Sequence, residues 1–573
     1  MFDFVLTGGL IVDGTGAPAR RGDVAIKDGR VAAIGDVDGD ATRTIDVDGQ
    51  VVAPGFIDAH THYDAQLLWD PSANPSTAHG ITTVLLGNCG YTLAPVRPND
   101  QDYLMGLFAA AEELPKRALQ TYAPFSWETF ADYVGWLGGR VGINVVTQVG
   151  HSAVRRYVMG EAALERAATP EEIAEMVSVV EAAMDAGAAG ISSSQAPHQL
   201  GENGEHIPSF FADDSERRAL AEAIRRKGKR LLSINPATKR DGLSEEDRAQ
   251  LVDLAEISGA VVSWNDFGMG TPHGDSVLEF MEGELERGHD IRAVARCQRP
   301  ETRFTLKKLS VLFATFEPWL DYGRLDAPEK LAALRDPAWR ARLGEFWDGA
   351  KYMVNTSVEK GTSPETSPLE GRMLVEIAAE RGTTPAEVMF DVALADELET
   401  FFRIAGRIDV DEAHLERILK SPATVVGISD GGAHLQTFAG GDYTSYFLEH
   451  WVREKHSFTL EEGVAALSSK VASFLGLHDR GTLEVGKAAD VVVFDPDTIG
   501  PLALETLDDI PGGGTRMTKR ARGISWVIVN GEPVIEEGVA VNVTPGQVLG
   551  SQVSGSQVSG NQVSGSQVSG RPT

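Results

Sequence analysis

Apolar and polar positions change rhythm twice along the chain, and each rhythm predicts a different architecture. Over residues 1–54, apolar runs at 3–6, 10–13, 23–27, 30–34 and 44–47 are separated by Gly and Asp turns. The pairs Asp28-Gly29 and Asp48-Gly49 carry the signature of two-residue hairpin turns, so this stretch predicts a small antiparallel β unit. The same texture returns in Ala489-Asp-Val-Val-Val-Phe494 and in Trp526-Val-Ile-Val-Asn-Gly-Glu-Pro-Val534. The two ends are therefore expected to meet in one β-sandwich, 1–54 with 475–546; two unrelated β units are the alternative.

Between the ends, apolar runs of strand length alternate with longer stretches of helical period. Strands are expected over 82–86, 143–149, 189–193, 230–234, 260–264 and 425–428, and helices over 170–186 and 214–227. Such alternation predicts a parallel sheet, and at this length its closed form is a TIM-like (β/α)8 barrel over 55–474, so the class is α/β. The rhythm fails over 298–350, where Phe304, Phe313, Phe316, Trp319 and Trp339 gather around Arg299-Pro300. An aromatic insertion of this kind is expected to act as a lid, the alternative being a helical packing layer. From 547 to 573 the chain becomes a tail in which Ser-Gln-Val-Ser-Gly units repeat, uncharged and with one small apolar residue each. Such a segment buries too little surface to offset its ordering entropy, so disorder is expected free in solution, with a β-addition peptide or a partner-docking strand as the alternatives.

Composition narrows the class of protein. With 573 residues and 42% apolar content, the chain can bury a barrel-sized core beside a smaller one. No run of about 18 uninterrupted apolar residues occurs, and the N-terminus lacks the basic and apolar regions of a signal peptide, so a cytoplasmic location is expected. Cys89 and Cys297 lie far apart in unlike contexts and give no disulfide framework. A net charge of −31 opposes nucleic acid and anionic membranes as partners, and leaves homo-oligomer formation open.

Candidate chemistry concentrates where apolar runs end. Val51-Val-Ala-Pro-Gly-Phe-Ile57 leads into Asp-Ala-His60-Thr-His62, and in an extended strand side chains two residues apart share a face. His60 and His62 thus form a candidate metal-ligand pair. Cys89 follows the apolar run at 82–86 between Gly87 and Gly90, as a candidate thiolate ligand or a small core residue. Asp430 ends the last barrel strand ahead of Gly-Gly-Ala-His434, where a carboxylate could bind metal and carry a proton, or simply cap a turn. His151 ends the run at 145–150, as a ligand, a substrate contact or a structural donor. Arg155 and Arg156 could hold a substrate carboxylate or form surface ion pairs, and His198 and His206 occupy a turn-rich loop after the fourth strand.

Several of these motifs together resemble a known family. Gly55-Phe-Ile-Asp-Ala-His-Thr-His-Tyr-Asp-Ala-Gln66, Trp69-Asp-Pro, His79-Gly-Ile-Thr-Thr-Val, Gly87-Asn-Cys-Gly90, Val149-Gly-His-Ser, Asp430-Gly-Gly-Ala-His434 and Gly486-Lys-Ala-Ala-Asp490 are similar to the N-acyl-D-amino-acid deacylase branch of the amidohydrolase superfamily. The resemblance implies a metal-bearing barrel that hydrolyses an amide with metal-activated water. It implies His60, His62 and Cys89 as ligands and Asp430 as both ligand and general acid/base. It also implies a histidine at the end of the fifth and of the sixth strand, completing a zinc site. Here those places read Leu231-Leu-Ser-Ile-Asn235 and Val261-Val-Ser-Trp-Asn265-Asp266. Amides are weak zinc ligands, so one zinc per chain is expected, with Asn235, Asn265, Asp266 and His434 left as candidate substrate contacts. The function read from the sequence is hydrolysis of the C–N bond of a small N-acylated, carboxylate-bearing compound. A barrel lyase, decarboxylase or isomerase, and a binding protein that has lost its metal, are the alternatives.

Overall fold

The computed structural model describes residues 1–239, 242–268, 273–298, 301–310, 316–349, 355–405 and 412–550. Eight parallel strands form its centre: β1 (Phe56–Asp58), β2 (Ile81–Leu86), β3 (Asn144–Thr147, continued at Val149–Gly150), β4 (Gly190–Ser194), β5 (Leu231–Asn235), β6 (Val261–Phe267), β7 (Ile291–Ala295) and β8 (Thr424–Val426). Neighbours pair in this order, with Ala189 N donating to Thr147 O at 2.7 Å where β3 meets β4. Ala59 N donates to Gly427 O at 2.9 Å and Asp430 N to His60 O at 3.2 Å, which joins β8 to β1 and closes the barrel. Each strand, or its edge, gives an apolar side chain to the interior: Ile57, Leu85, Val146, Ala189, Leu231, Val261, Val294 and Val425 pack as one cluster.

The surrounding helices carry their own start and stop signals. Pro170–Asp185 begins with a capping box between Thr169 and Glu172 and buries Met176, Val180, Ala183 and Met184 against the barrel. Asp214–Lys227 is capped by Asp213, carries Arg225, Arg226 and Lys227 in its last turn, and ends at Gly228 in the left-handed region. Both chain ends contribute to a nine-stranded sheet in the β-sandwich unit, in which Val51–Pro54 lies between Phe2–Ile11 and Val491–Phe494. The runs expected separately at 3–6 and 10–13 form the single strand Phe2–Ile11, which slips register between Leu6 and Gly9. Gly8, with φ 75°, permits the irregularity.

Two further expectations change. The insertion runs on to Ala405: Glu301–Phe304, Phe401–Ala405 and Thr356–Lys360 form a three-stranded antiparallel sheet. Phe304, Trp319, Trp347, Phe390 and Phe402 pack in a core separate from the barrel's, and Arg303 N donates to Thr437 O at 2.7 Å, which ties this layer to the loop after His434. Arg299, Pro300 and Phe313 lie outside the described residues. At the C-terminus, order extends past 546: Val548 and Leu549 pair in parallel with Val145 and Val146, and Leu549 packs against the barrel interior. The repeats from 551 onward lie outside the described residues.

Candidate metal centre

β1 is buried along its length and delivers His60 and His62 to the C-terminal end of the barrel, with ring centroids 5.2 Å apart at 74°. β2 delivers Cys89 through a tight turn that starts at Gly87, where φ is 76° and an added Cβ would lie 2.3 Å from the Gln148 carbonyl oxygen. His60, His62 and Cys89 are buried, and each offers a ligand atom within 4.8 Å of the others. Asp430, after β8, places Oδ1 3.3 Å from His60 Nε2, and its other oxygen accepts from Arg296 Nη2. Arg296, just past β7, also donates through Nε to Asp266 Oδ1 at 2.8 Å. Cys89, Asp266, Asp430 and His434 all have positive φ, between 51° and 67°. Such strain in non-glycine residues persists only where surrounding packing imposes it, and it clusters at functional sites.

A carboxylate and imidazole chain extends from His62. Its Nδ1 is buried without a hydrogen-bond partner, and Glu112 Oε1 lies 3.3 Å away. The other Glu112 oxygen is 4.0 Å from His434 Nε2, while His434 Nδ1 donates to Glu113 Oε2 at 3.2 Å. Glu113 also accepts from the Thr437 hydroxyl.

Burial sets the protonation of these groups. It lowers His60 to about 4 and His62 to about 3, so both offer neutral imidazoles near pH 7. It pushes the Cys89 thiol up to about 12 and, with Asp430 and Glu113 adding repulsion, Glu112 up to about 8. Burial also opposes charge on Asp430, but Arg296 and the two histidines hold its carboxyl well below the usual range. His434 is lowered by burial, yet its bond to Glu113 brings it up to about 9.

The donor set of the first two strands fits a divalent ion. Two neutral imidazoles and a sulfur converge in a buried pocket with a carboxylate beside them, a mixture suited to zinc. The opposite rim does not fit a second one. Asn235 and Asn265 offer neutral amides, and the Lys239 ammonium already binds their oxygens, at 3.4 Å and 2.9 Å.

Several expected contacts move elsewhere. His151 and Arg155 are sealed below the site: His151 bonds Ser193 Oγ at 2.8 Å and Glu216 Oε1 at 2.7 Å, and Arg155 pairs with the same Glu216. Neither has exposed surface, and both are engaged by Glu216. Arg156 donates to Asp100 at 2.7 Å and lies over the Tyr103 ring. His206 stacks on Phe210 with centroids 4.0 Å apart, and the metal-compatible group among the described residues includes neither it nor half-buried His198. Asn235, Asn265, Asp266 and His434 do line the site's surroundings.

Four residues of the site escape a sequence reading: Glu112, Glu113, Lys239 and Arg296. A signal existed for Arg296, since it ends Ile291-Arg-Ala-Val-Ala295 as other candidates end their strands. Arg292 interrupts that apolar run, so β7 does not stand out. The glutamates and Lys239 sit in a helix end and a turn with no pattern of their own.

Compared with known proteins, residues 43–535 match the Amidohydrolase family. D-aminoacylase of Alcaligenes xylosoxydans xylosoxydans is 32% identical over 96% of this chain and 97% of its own length. A solved structure of D-aminoacylase, concerned with one-metal activation and second-metal attenuation at its binuclear centre, superposes with a TM-score of 0.65 at 27% identity, covering 96% of this chain and 100% of that one. N-acyl-D-glutamate deacylase from Bordetella bronchiseptica, solved with zinc and a phosphonate mimic of the tetrahedral intermediate, gives 0.66 at 27% identity, covering 96% and 99%.

Proposed function

The chain belongs to the amidohydrolase family, a class of hydrolases acting on C–N bonds, and from that premise we propose that it is a zinc-dependent deacylase of N-acyl amino acids. One observation carries the reading: two neutral imidazoles and a cysteine converge beside an ionised aspartate at the C-terminal end of a (β/α)8 barrel. The ion would be held by His60, His62 and Cys89, with Asp430 alongside, as one zinc per chain. Such an ion, when bound, polarises an acyl carbonyl and acidifies water.

The chain's own residues supply the rest. Asp430 is kept ionised by Arg296, so it can take a proton near the His60 ring and return it to the leaving nitrogen. Arg296 spends Nη2 on Asp430 and Nε on Asp266, while its Nη1 is buried without a hydrogen-bond partner among the described residues, so it is the donor left to meet a substrate carboxylate. The relatives named above are a D-aminoacylase and an N-acyl-D-glutamate deacylase, which supports the D series for this chain. No described helix is long and apolar enough to cross a membrane. Both cysteines are free and buried, in keeping with a reducing cytoplasmic setting.

The test is release of free amine from paired N-acetyl-D- and N-acetyl-L-amino acids by zinc-loaded protein. Release from the D series supports the reading. Zinc binding without amine release from any substrate would favour a lyase or isomerase, and neither would favour a binding protein.

A further inference from the structure

The rim formed by β5 and β6 holds a cluster that the proposed reaction does not use. Lys239, in the turn after β5, places Nζ 2.9 Å from Asn265 Oδ1 and 3.4 Å from Asn235 Oδ1. With both carboxamide oxygens directed at the ammonium, both amide nitrogens turn inward. Asn235 Nδ2 lies 3.4 Å from Cys89 Sγ, and Asn265 Nδ2 lies 2.9 Å from His60 Nε2 and 3.6 Å from the same sulfur. Both asparagines are buried, and a small cavity lined by them, His60 and Cys89 lies at the centre of the barrel. One positive charge is thus fixed a single amide away from two residues of the candidate metal centre.

This arrangement is already complete as a cation site. Both amide oxygens face an ammonium, the one carboxylate of this rim, Asp266, is engaged by Arg296, and a divalent ion placed there would face like charge at close range. We propose that the Lys239 ammonium is the resident second cation of this centre: it orients Asn235 and Asn265 toward Cys89 and His60, and it restricts the chain to one divalent ion. The inference rests on the metal-centre reading given above. Lys239 is a positioning residue acting through the two amides, and its charge, not its bulk, is what matters.

The experiment is equilibrium dialysis of the full chain against zinc, comparing wild type, Asn235→His/Asn265→His, and that double variant with Lys239→Met added. Wild type should retain one ion. The double variant should hold its second ion about ten-fold or more weakly than the triple variant, which lacks the competing charge. Equal second-ion affinity with and without Lys239 overturns the inference, as do two retained ions in wild type, while both leave the first-ion reading intact. No ion in wild type overturns that reading and this inference together. Should the multiple variants misfold, Lys239→Met alone decides: at one ion per chain, kcat/KM should fall about ten-fold or more and recover in part with Lys239→Arg. A fall of less than about two-fold, or no recovery with arginine, overturns the role of the charge.

Discussion

The two rims of the barrel mouth treat positive charge in opposite ways. At β1, β2 and β8, the chain gathers lone pairs: neutral His60 and His62, the sulfur of Cys89 and ionised Asp430. At β5 and β6, it offers amides whose oxygens are already bound to the Lys239 ammonium. The same strand-end positions on one scaffold can thus ask for an external cation or supply one from the chain. Which of the two a rim does is decided by a handful of side chains, while the barrel beneath is uniform, with one interior apolar residue contributed at each strand.

The sharpest way to break this comparison is to neutralise the first rim's carboxylate. Asp430→Asn should lower kcat by about 100-fold or more while zinc content and melting temperature hold, as expected for loss of a general acid/base. Near-normal turnover would remove Asp430 from the chemistry.

The two cations make the next contrast. Arg296 holds Asp430 ionised, so Arg296→Met should let burial raise that carboxyl. A group whose proton affinity rises loses its charge sooner as pH falls, so the acid limb of kcat/KM should move to higher pH. Lys239→Met should lower activity without moving that limb, because Lys239 contacts the amides of Asn235 and Asn265. Parallel pH profiles of the two variants and wild type check this, and an unmoved limb in Arg296→Met would contradict it.

Zinc binding should also report on Cys89. Burial keeps its thiol protonated near neutral pH, whereas His60 and His62 are already neutral. Ligation requires the thiolate, so wild type should release about one proton more per zinc than Cys89→Ala, read by calorimetry in buffers of different ionisation enthalpy. Equal release would place the sulfur outside the ligand set.

The smallest effects concern the C-terminus. Ending the chain at 550 should leave the melting temperature almost unchanged, whereas ending it at 546 removes the pairing of Val548 and Leu549 with Val145 and Val146 and uncovers the barrel interior. A measurable drop is expected only for the shorter chain, and identical melting curves would show that the added strand contributes nothing.

What the sequence reveals of this site depends on how local each signal is. His60 and His62 are two residues apart at the end of an apolar run, and Cys89 and Asp430 likewise close their strands, so residue type and position coincide. The barrel was legible for the same reason, since strand and helix periods alternate. Arg296 acts on Asp430 across 134 positions and Glu113 on His434 across 321, distances at which no spacing rule operates. Lys239 is only 26 residues from Asn265, but its partners are neutral amides, and nothing in their composition announces a charge between them. His151 and Arg155 show the converse, since chemically suggestive residues close to a strand end are spent on a sealed ion pair with Glu216.

The central claim, that the first rim alone holds the working ion, is tested most directly by metal analysis of dialysed protein paired with amine release. Wild type should contain about one equivalent of zinc and lose activity with its removal, and His60→Ala/His62→Ala should contain close to none, with affinity reduced by more than about 100-fold. Undiminished amine release from metal-free wild type, or from the double variant, would contradict the account.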